Sequence, residues 1–423
     1  MKIFELHPTV QLRLGIQFFA ALVSSSVLPF LAVYFAGRLG QTVVGLMLVT
    51  IVLSGITGGF AGGFYSDKIG RKKLMIAADF VVVLTYVAIA YVNSPWHDWP
   101  YVTFVLFIVA TFAEGVMVPV AQAMIIDVSS PDNRKFIFRL TYWAMNLAVA
   151  LGGIIGAYLF EAHHFALFLG IAAVSAASML ITIFWISETY VPRQVSEEKS
   201  AAGPSIFSTY LAVLKDSIFI KFVVSGILLL SLEQQLTNYL GVRYAQHIPT
   251  QDLFPGDAFR FQVDGLKMLG FLRTENTLIV VFFTVLITML VKKFSDSWVF
   301  YVGAGMFTLG YFVLGISVSP WVLFAAMVIV SAGEVLYAPV KQAYLANIAP
   351  ENRRSSYMAL NNLTFYIAMI VAAVFITLGS WLPFGVIAGL FLLMGAVSIG
   401  LFRRIMPELE KRSALNESKP SAG

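Results

Sequence analysis

Two glutamates, Glu114 and Glu334, stand inside long apolar stretches of this sequence, 220 positions apart. A carboxyl group withdrawn from water favours its neutral form. It can therefore carry a proton and release it when its access to water changes. The other use of such a group is a permanent hydrogen bond between helices. Lys341 follows Glu334 by seven residues, two turns along the same helix face. It can pair with an acid, face an anion, or extend its stem toward the aqueous side. Further polar residues interrupt apolar runs: Tyr142, Trp143 and Asn146, then Glu233, Gln234 and Asn238, then Asn361 and Asn362. Set among 36 Phe and 15 Met, they outline a greasy, adaptable cavity for a hydrophobic or amphipathic small molecule. Asp127 sits close to Arg134, its expected local partner, and Asp79 is read as lying near the inner headgroups.

The elements that must position these groups follow from composition. Of 423 residues, 59% are hydrophobic and 12% charged, with mean hydropathy +0.82. A soluble domain carries about 25% charged residues, so a water-soluble enzyme and a disordered chain are both excluded. A membrane span needs about 20 apolar residues. Twelve such runs lie near 14–36, 42–65, 74–93, 100–126, 136–160, 165–186, 218–240, 270–291, 298–318, 321–346, 357–379 and 382–402. With the N-terminus inside, the inner segments hold 22 of the 28 Lys and Arg, Arg13 among them, and the outer segments five. Cytoplasmic loops are the basic ones, so both termini are expected to be cytoplasmic in a multi-pass protein of the cell membrane. The same asymmetry explains a pI of about 9.2 without a nucleic-acid partner.

The fold class expected is an all-α polytopic membrane protein of twelve transmembrane helices in two six-helix pseudo-repeats. The divisions are a bundle over 1–186, a cytoplasmic linker over 187–217, a second bundle over 218–404 and a polar cytoplasmic tail over 405–423. Ile206, Tyr210, Val213 and Leu214 recur at helical spacing and suggest a short surface helix in the linker. Ser24, Ser25 and Ser26 before Pro29 mark a soft point in the first span. The repeat is visible in the residues. EGVMVPVAQA at 114–123 aligns with EVLYAPVKQA at 334–343, five of ten positions being identical, and each copy runs on into a Pro-acid-Asn-Arg loop. Parallel duplication of a six-span unit is a transporter architecture, with a site between halves that rock.

Residues 63–73 read GFYSDKIGRKK. With Gly63, Asp67, Gly70, Arg71 and Lys72 in place between spans two and three, this loop resembles the signature of the major facilitator superfamily. The resemblance implies that Asp67 is a cytoplasmic latch, interacting with nearby Arg and with the positive end of a helix from the other half. Asp127 and Arg134 belong to the same latch. The segments Gln11–Ile16, Ala123–Asp127, Asn133–Lys135, Tyr142–Ala144 and Gly333–Val335 resemble LmrP-type proton/multidrug antiporters. Two acidic positions of that group are Thr141 and Thr237 here, and the glycine-proline signature of span five is reduced to Gly152–Ala157.

These readings converge on a secondary active transporter. The expected activity is proton-coupled export of hydrophobic or amphipathic compounds by alternating access, with Glu334 as the main proton-coupling group and Glu114 as its counterpart in the first half. A lipid-linked glycan flippase or nutrient symporter on the same scaffold is the alternative, and a membrane-embedded enzyme a remote one. The proton gradient is the expected energy source, with no cofactor and no metal, and the protein is expected to work as a monomer in the lipid bilayer. The chain holds no cysteine, no G-x-x-x-x-G-K-[ST], no H-E-x-x-H and no G-x-S-x-G. Thiol chemistry, an ATP site of its own, and the common hydrolase motifs are thereby excluded. The pair His163-His164 is read as an exposed loop.

Overall fold

In lipid every backbone polar group needs an internal partner, and helices supply one without a second segment. The computed structural model describes residues 6–129, 131–189, 213–254, 261–291, 293–348 and 354–417, and they are almost entirely helical. Among the described residues, nine helices are long and apolar enough to cross a membrane. One of them, Trp143–Trp185, has 43 residues and a non-helical His163 in its middle, so it serves for two spans. The seventh span is split between Glu233 and Tyr239 and is not among the nine. The chain divides into two compact units, residues 1–194 with 241–277, and residues 195–240 with 278–423.

In the first unit, α1 (Pro8–Ser25) gives way to a short 3-10 turn, Leu28–Phe30, before α2 (Leu31–Leu39) completes the span. Pro29 cannot donate a backbone hydrogen bond, and the Ser26 hydroxyl donates to the Val23 carbonyl at 2.7 Å. The soft point thus falls where the serines and proline placed it. Helices α3 (Gln41–Ile69) and α4 (Arg71–Val92) meet at Gly70, whose φ of +93° is a left-handed conformation that other residues adopt at a cost. Helix α5 (Pro100–Asp127) presses against α3, and the backbones approach so closely that Gly58 and Gly62 leave no room for a Cβ. Lipid tails are as apolar as leucine, so close packing and polar pairs rather than hydrophobic burial must hold such helices together.

Helix α6 (Pro131–Trp185) bends at His163 (φ −134°, ψ 27°). His163 is exposed, but His164 is half-buried against Tyr34, Phe160 and Phe168, so only one of the two imidazoles behaves as a loop residue. Residues 241–277 join this unit. They hold most of α8 (Tyr239–His247), a two-stranded hairpin, Gln251–Asp252 with Gln262–Val263, and the first half of α9 (Gly265–Val291). Thr274 donates to the Ala150 carbonyl at 3.1 Å, and Phe271 packs edge-on to Tyr158.

The second unit holds α7 (Ser217–Glu233), α10 (Asp296–Ile316), α11 (Pro320–Ile348), α12 (Arg354–Gly379) and α13 (Phe384–Glu417). Asp216 caps α7 by accepting from the amides of Ile218 and Phe219, and it also accepts from the Tyr357 hydroxyl at 2.9 Å. Phe300 stacks on Phe402 at 3.8 Å, and the hydroxyls of Ser225 and Ser398 pair at 2.6 Å. Two expectations change. The seventh span is not one helix, because α7 ends at Glu233 and α8 starts at Tyr239. The polar stretch between them lets the Asn238 amide satisfy the Gln234 carbonyl at 2.8 Å. The last helix also continues past 404 to Glu417, with Ile405, Met406 and Leu409 buried at helical spacing. Of the proposed surface helix, Ile206 and Tyr210 lie outside the described residues.

Candidate functional site

The first unit contains a cavity of about 490 Å³ whose lining joins polar groups from separate spans. Helix α5 contributes Glu114, Met117, Val118, Ala121, Gln122 and Ile125. Their spacing of three and four residues is one face of a helix. Glu114 accepts a hydrogen bond from the hydroxyl of Tyr86, a fully buried residue of α4, at 3.0 Å. Asp79, two α4 turns earlier, is 1% exposed and accepts from the Ser178 hydroxyl at 2.9 Å. Arg13 enters from α1 and is 3% exposed, yet its Nε and one terminal nitrogen have no hydrogen-bond partner among the described residues. Its charge acts on Asp79 through space. Gln17, one turn further along α1, also has its carbonyl oxygen buried and unpartnered.

Sequence reading missed part of this site. The sequence places Arg13 among the cytoplasmic basic residues and Asp79 near the headgroups, but both are buried in the cavity. The one signal available for Arg13 was its i, i+4 spacing to Gln17 on an otherwise apolar helix. Fifth-span lining comes from Thr141 and Met145. Trp143 is 54% exposed, Asn146 is half-buried outside the lining, and the Tyr142 side chain is outside the described residues.

The second unit gathers a different set. Glu334 is half-buried on α11, and both it and Glu233 act electrostatically on Tyr337. Lys341 is in the field of Glu233, and its ammonium lies 5.9 Å from the centroid of the Phe222 ring. Gly226 gives it room, since a Cβ there would stand 2.6 Å from Nζ. Gln234 and Asn238 line the break in the seventh span, while Gln235 between them is fully buried with its carboxamide unpartnered among the described residues. Asn361 is half-buried, its carbonyl accepting from Thr364, and Asn362 is exposed.

At the end of α3 and start of α4, the latch residues make a network only partly expected. Arg71 pairs with Asp127 at 2.7 Å, and Thr189 donates to the same carboxylate at 3.0 Å. The expected partner of Asp127, Arg134, and the key acid Asp67 have side chains outside the described residues. Gly63 is exposed on α3. Glu188, which sequence reading passed over, accepts from the backbone amides of Arg71 and Lys72 at 3.0 and 3.1 Å. A carboxylate there satisfies unpaired donors at the positive end of α4. Lys72 donates to the Ile183 carbonyl at 2.8 Å.

Comparison with known proteins adds the family. The family model described as Major Facilitator Superfamily matches residues 14–254 and 257–422. The Na(+), Li(+), K(+)/H(+) antiporter of Planococcus maritimus is 31% identical over 95% of this chain and 97% of its own length. Multidrug resistance protein MdtH of Edwardsiella ictaluri is 21% identical over 80% of this chain and 78% of its own. Among solved structures, a POT family transporter in complex with 5-aminolevulinic acid superposes with TM-score 0.74 at 15% identity, over 95% of this chain and 96% of the other. The chain belongs to the major facilitator superfamily: it is a multi-pass membrane transporter and not an enzyme. Transport in such a protein is energised by a proton gradient, with no cofactor.

Proposed function

We propose that this member of the major facilitator superfamily exchanges protons for monovalent cations, Na+, Li+ and K+, through the cavity of its first unit. The observation that carries the reading is the set of two buried carboxyls, Glu114 and Asp79, in one cavity of a chain 31% identical to a cation/proton antiporter. A carboxylate holds a proton or a metal cation but not both. Binding of one therefore expels the other, and alternating access turns that competition into exchange. Glu114, held by Tyr86, and Asp79, held by Ser178, are the groups assigned to it. Glu334, the second membrane acid of the repeat, is assigned a supporting part in proton movement.

Efflux of hydrophobic or amphipathic compounds is the second reading. The apolar neighbours Ile16, Val82, Met117, Met145 and Ile171 around the same acids favour it, and so does the similarity to MdtH. A lipophilic cation would meet the same carboxyls as Na+. Vesicles containing the purified protein and a trapped pH dye, loaded acidic, test both. The expected result is a rise of internal pH on external addition of Na+, Li+ or K+ and none with choline. No response to the metal cations together with a response to a lipophilic cation such as ethidium would move the function to drug efflux.

A further inference from the structure

The charge inventory of the cavity constrains what it can exchange. Of its lining residues, Arg13, Asp79 and Glu114 are ionisable, and the Tyr86 hydroxyl stands behind Glu114. Arg remains charged under all ordinary conditions. With both carboxyls ionised, the cavity therefore carries one net negative charge rather than two. Arg13 makes no ion pair with either acid among the described residues: Asp79 is held by Ser178, Glu114 by Tyr86, and the guanidinium couples to Asp79 only through space. A guanidinium buried to 3% exposure for structural reasons would have its donors filled. Here Nε and a terminal nitrogen are left without acceptors. Arg13 itself lines a cavity in which a carboxylate gains and loses its counter-ion.

We propose that Arg13 is the fixed internal counter-ion of the site, so that the cavity accepts one positive charge at a time. Exchange is then one proton for one monovalent cation, and divalent cations are excluded. This rests on the cation/proton reading above. One proton, or one Na+, Li+ or K+, brings the cavity to zero charge. A second positive charge, or a divalent ion, leaves a net charge in a mostly apolar cavity, which is unfavourable. The exchange balances: one cation crosses one way, one proton the other, and no net charge moves. Arg13 is a positioning residue in this scheme, because it acts on the cation through the carboxylates.

The test is the null point of transport in vesicles. For the native protein, flux should vanish when the Na+ ratio across the membrane equals the proton ratio, whatever potential a thiocyanate gradient imposes. Arg13→Gln leaves two uncompensated carboxyls. By the same rule two protons or one divalent cation then neutralise the cavity, so external Ca2+ should drive proton flux in Arg13→Gln and not in the native protein. Ca2+ should raise the melting temperature of purified Arg13→Gln but not that of the native protein. Arg13→Lys, which keeps the charge, should again give no Ca2+ response. A potential-sensitive null in the native protein overturns the proposal, and so does an absent Ca2+ effect in Arg13→Gln. Stabilisation of the native protein by sulfate that is lost in Arg13→Gln would make Arg13 an anion site, and likewise overturns it. If Arg13→Gln does not fold, the native null and Arg13→Lys decide. Absence of any cation-driven proton flux in the native protein is a different result, and it removes the exchange function itself.

Discussion

Glu114 and Glu334 occupy matching places in the two repeats, but their surroundings separate them. Glu114 shares a cavity with a second acid and a buried guanidinium, and its carboxyl is fixed by the Tyr86 hydroxyl. Glu334 is half-buried, and it and Glu233 both act electrostatically on Tyr337. If the cavity is the exchange site, Glu114→Gln should abolish cation-driven proton flux, since an amide of the same shape cannot titrate. Glu334→Gln should slow that flux less. Measured side by side in vesicles at equal protein, a larger loss in Glu334→Gln would return the coupling role to α11. At this scale Glu114 was legible, because an acid within an apolar run has few innocent explanations. Arg13 and Asp79 were not. Near a span end, a basic residue matches the positive-inside pattern. Only the arrival of Asp79 and Ser178 from other helices shows that it faces a cavity instead.

The elements that position these side chains depend on a few local devices, and two of them are open to test. Gly70 ends α3 and opens α4 at φ +93°, and the Glu188 carboxylate caps the new helix. Gly70→Ala imposes the left-handed conformation on a residue with a Cβ, costing about 1–2 kcal/mol, and crowds the Glu188 oxygens. Glu188→Gln removes the charge from the helix end, costing about 0.3–1 kcal/mol. Both variants should melt earlier than the native protein in detergent, Gly70→Ala by more, and equal melting for all three would deny the cap a structural part. Sequence showed the glycine and the Pro29 break, since each has a backbone cause. It did not show the interruption after Glu233, because no glycine or proline marks residues 234–238. Their polarity was noticed, but only as a candidate binding stretch. Helix α13 ran past its expected end for a related reason. Ile405, Met406 and Leu409 form a buried stripe too short to read as a span.

At the scale of the molecule, function requires a defined orientation, because an exchanger uses the inward proton gradient only if its two faces are correctly assigned. The family membership makes the chain a transporter, and we propose its faces from the distribution of Lys and Arg. Twelve spans with both ends on one side leave the connection between the sixth and seventh spans on that side too. On the proposal that its basic segments stay in the cytoplasm, this side is the inner one. The chain contains no cysteine, so a single introduced thiol reports its own location without a background. Ser200→Cys places that thiol in the central connection, between Lys199 and Ala201. In intact cells it should be silent to a membrane-impermeant maleimide and should react once the membrane is permeabilised. A thiol at Gln246, in the segment assigned to the outside, should react in intact cells. Reversal of the two patterns would turn the protein over in the membrane. The proton gradient would then meet the opposite face of the exchanger from the one assigned here.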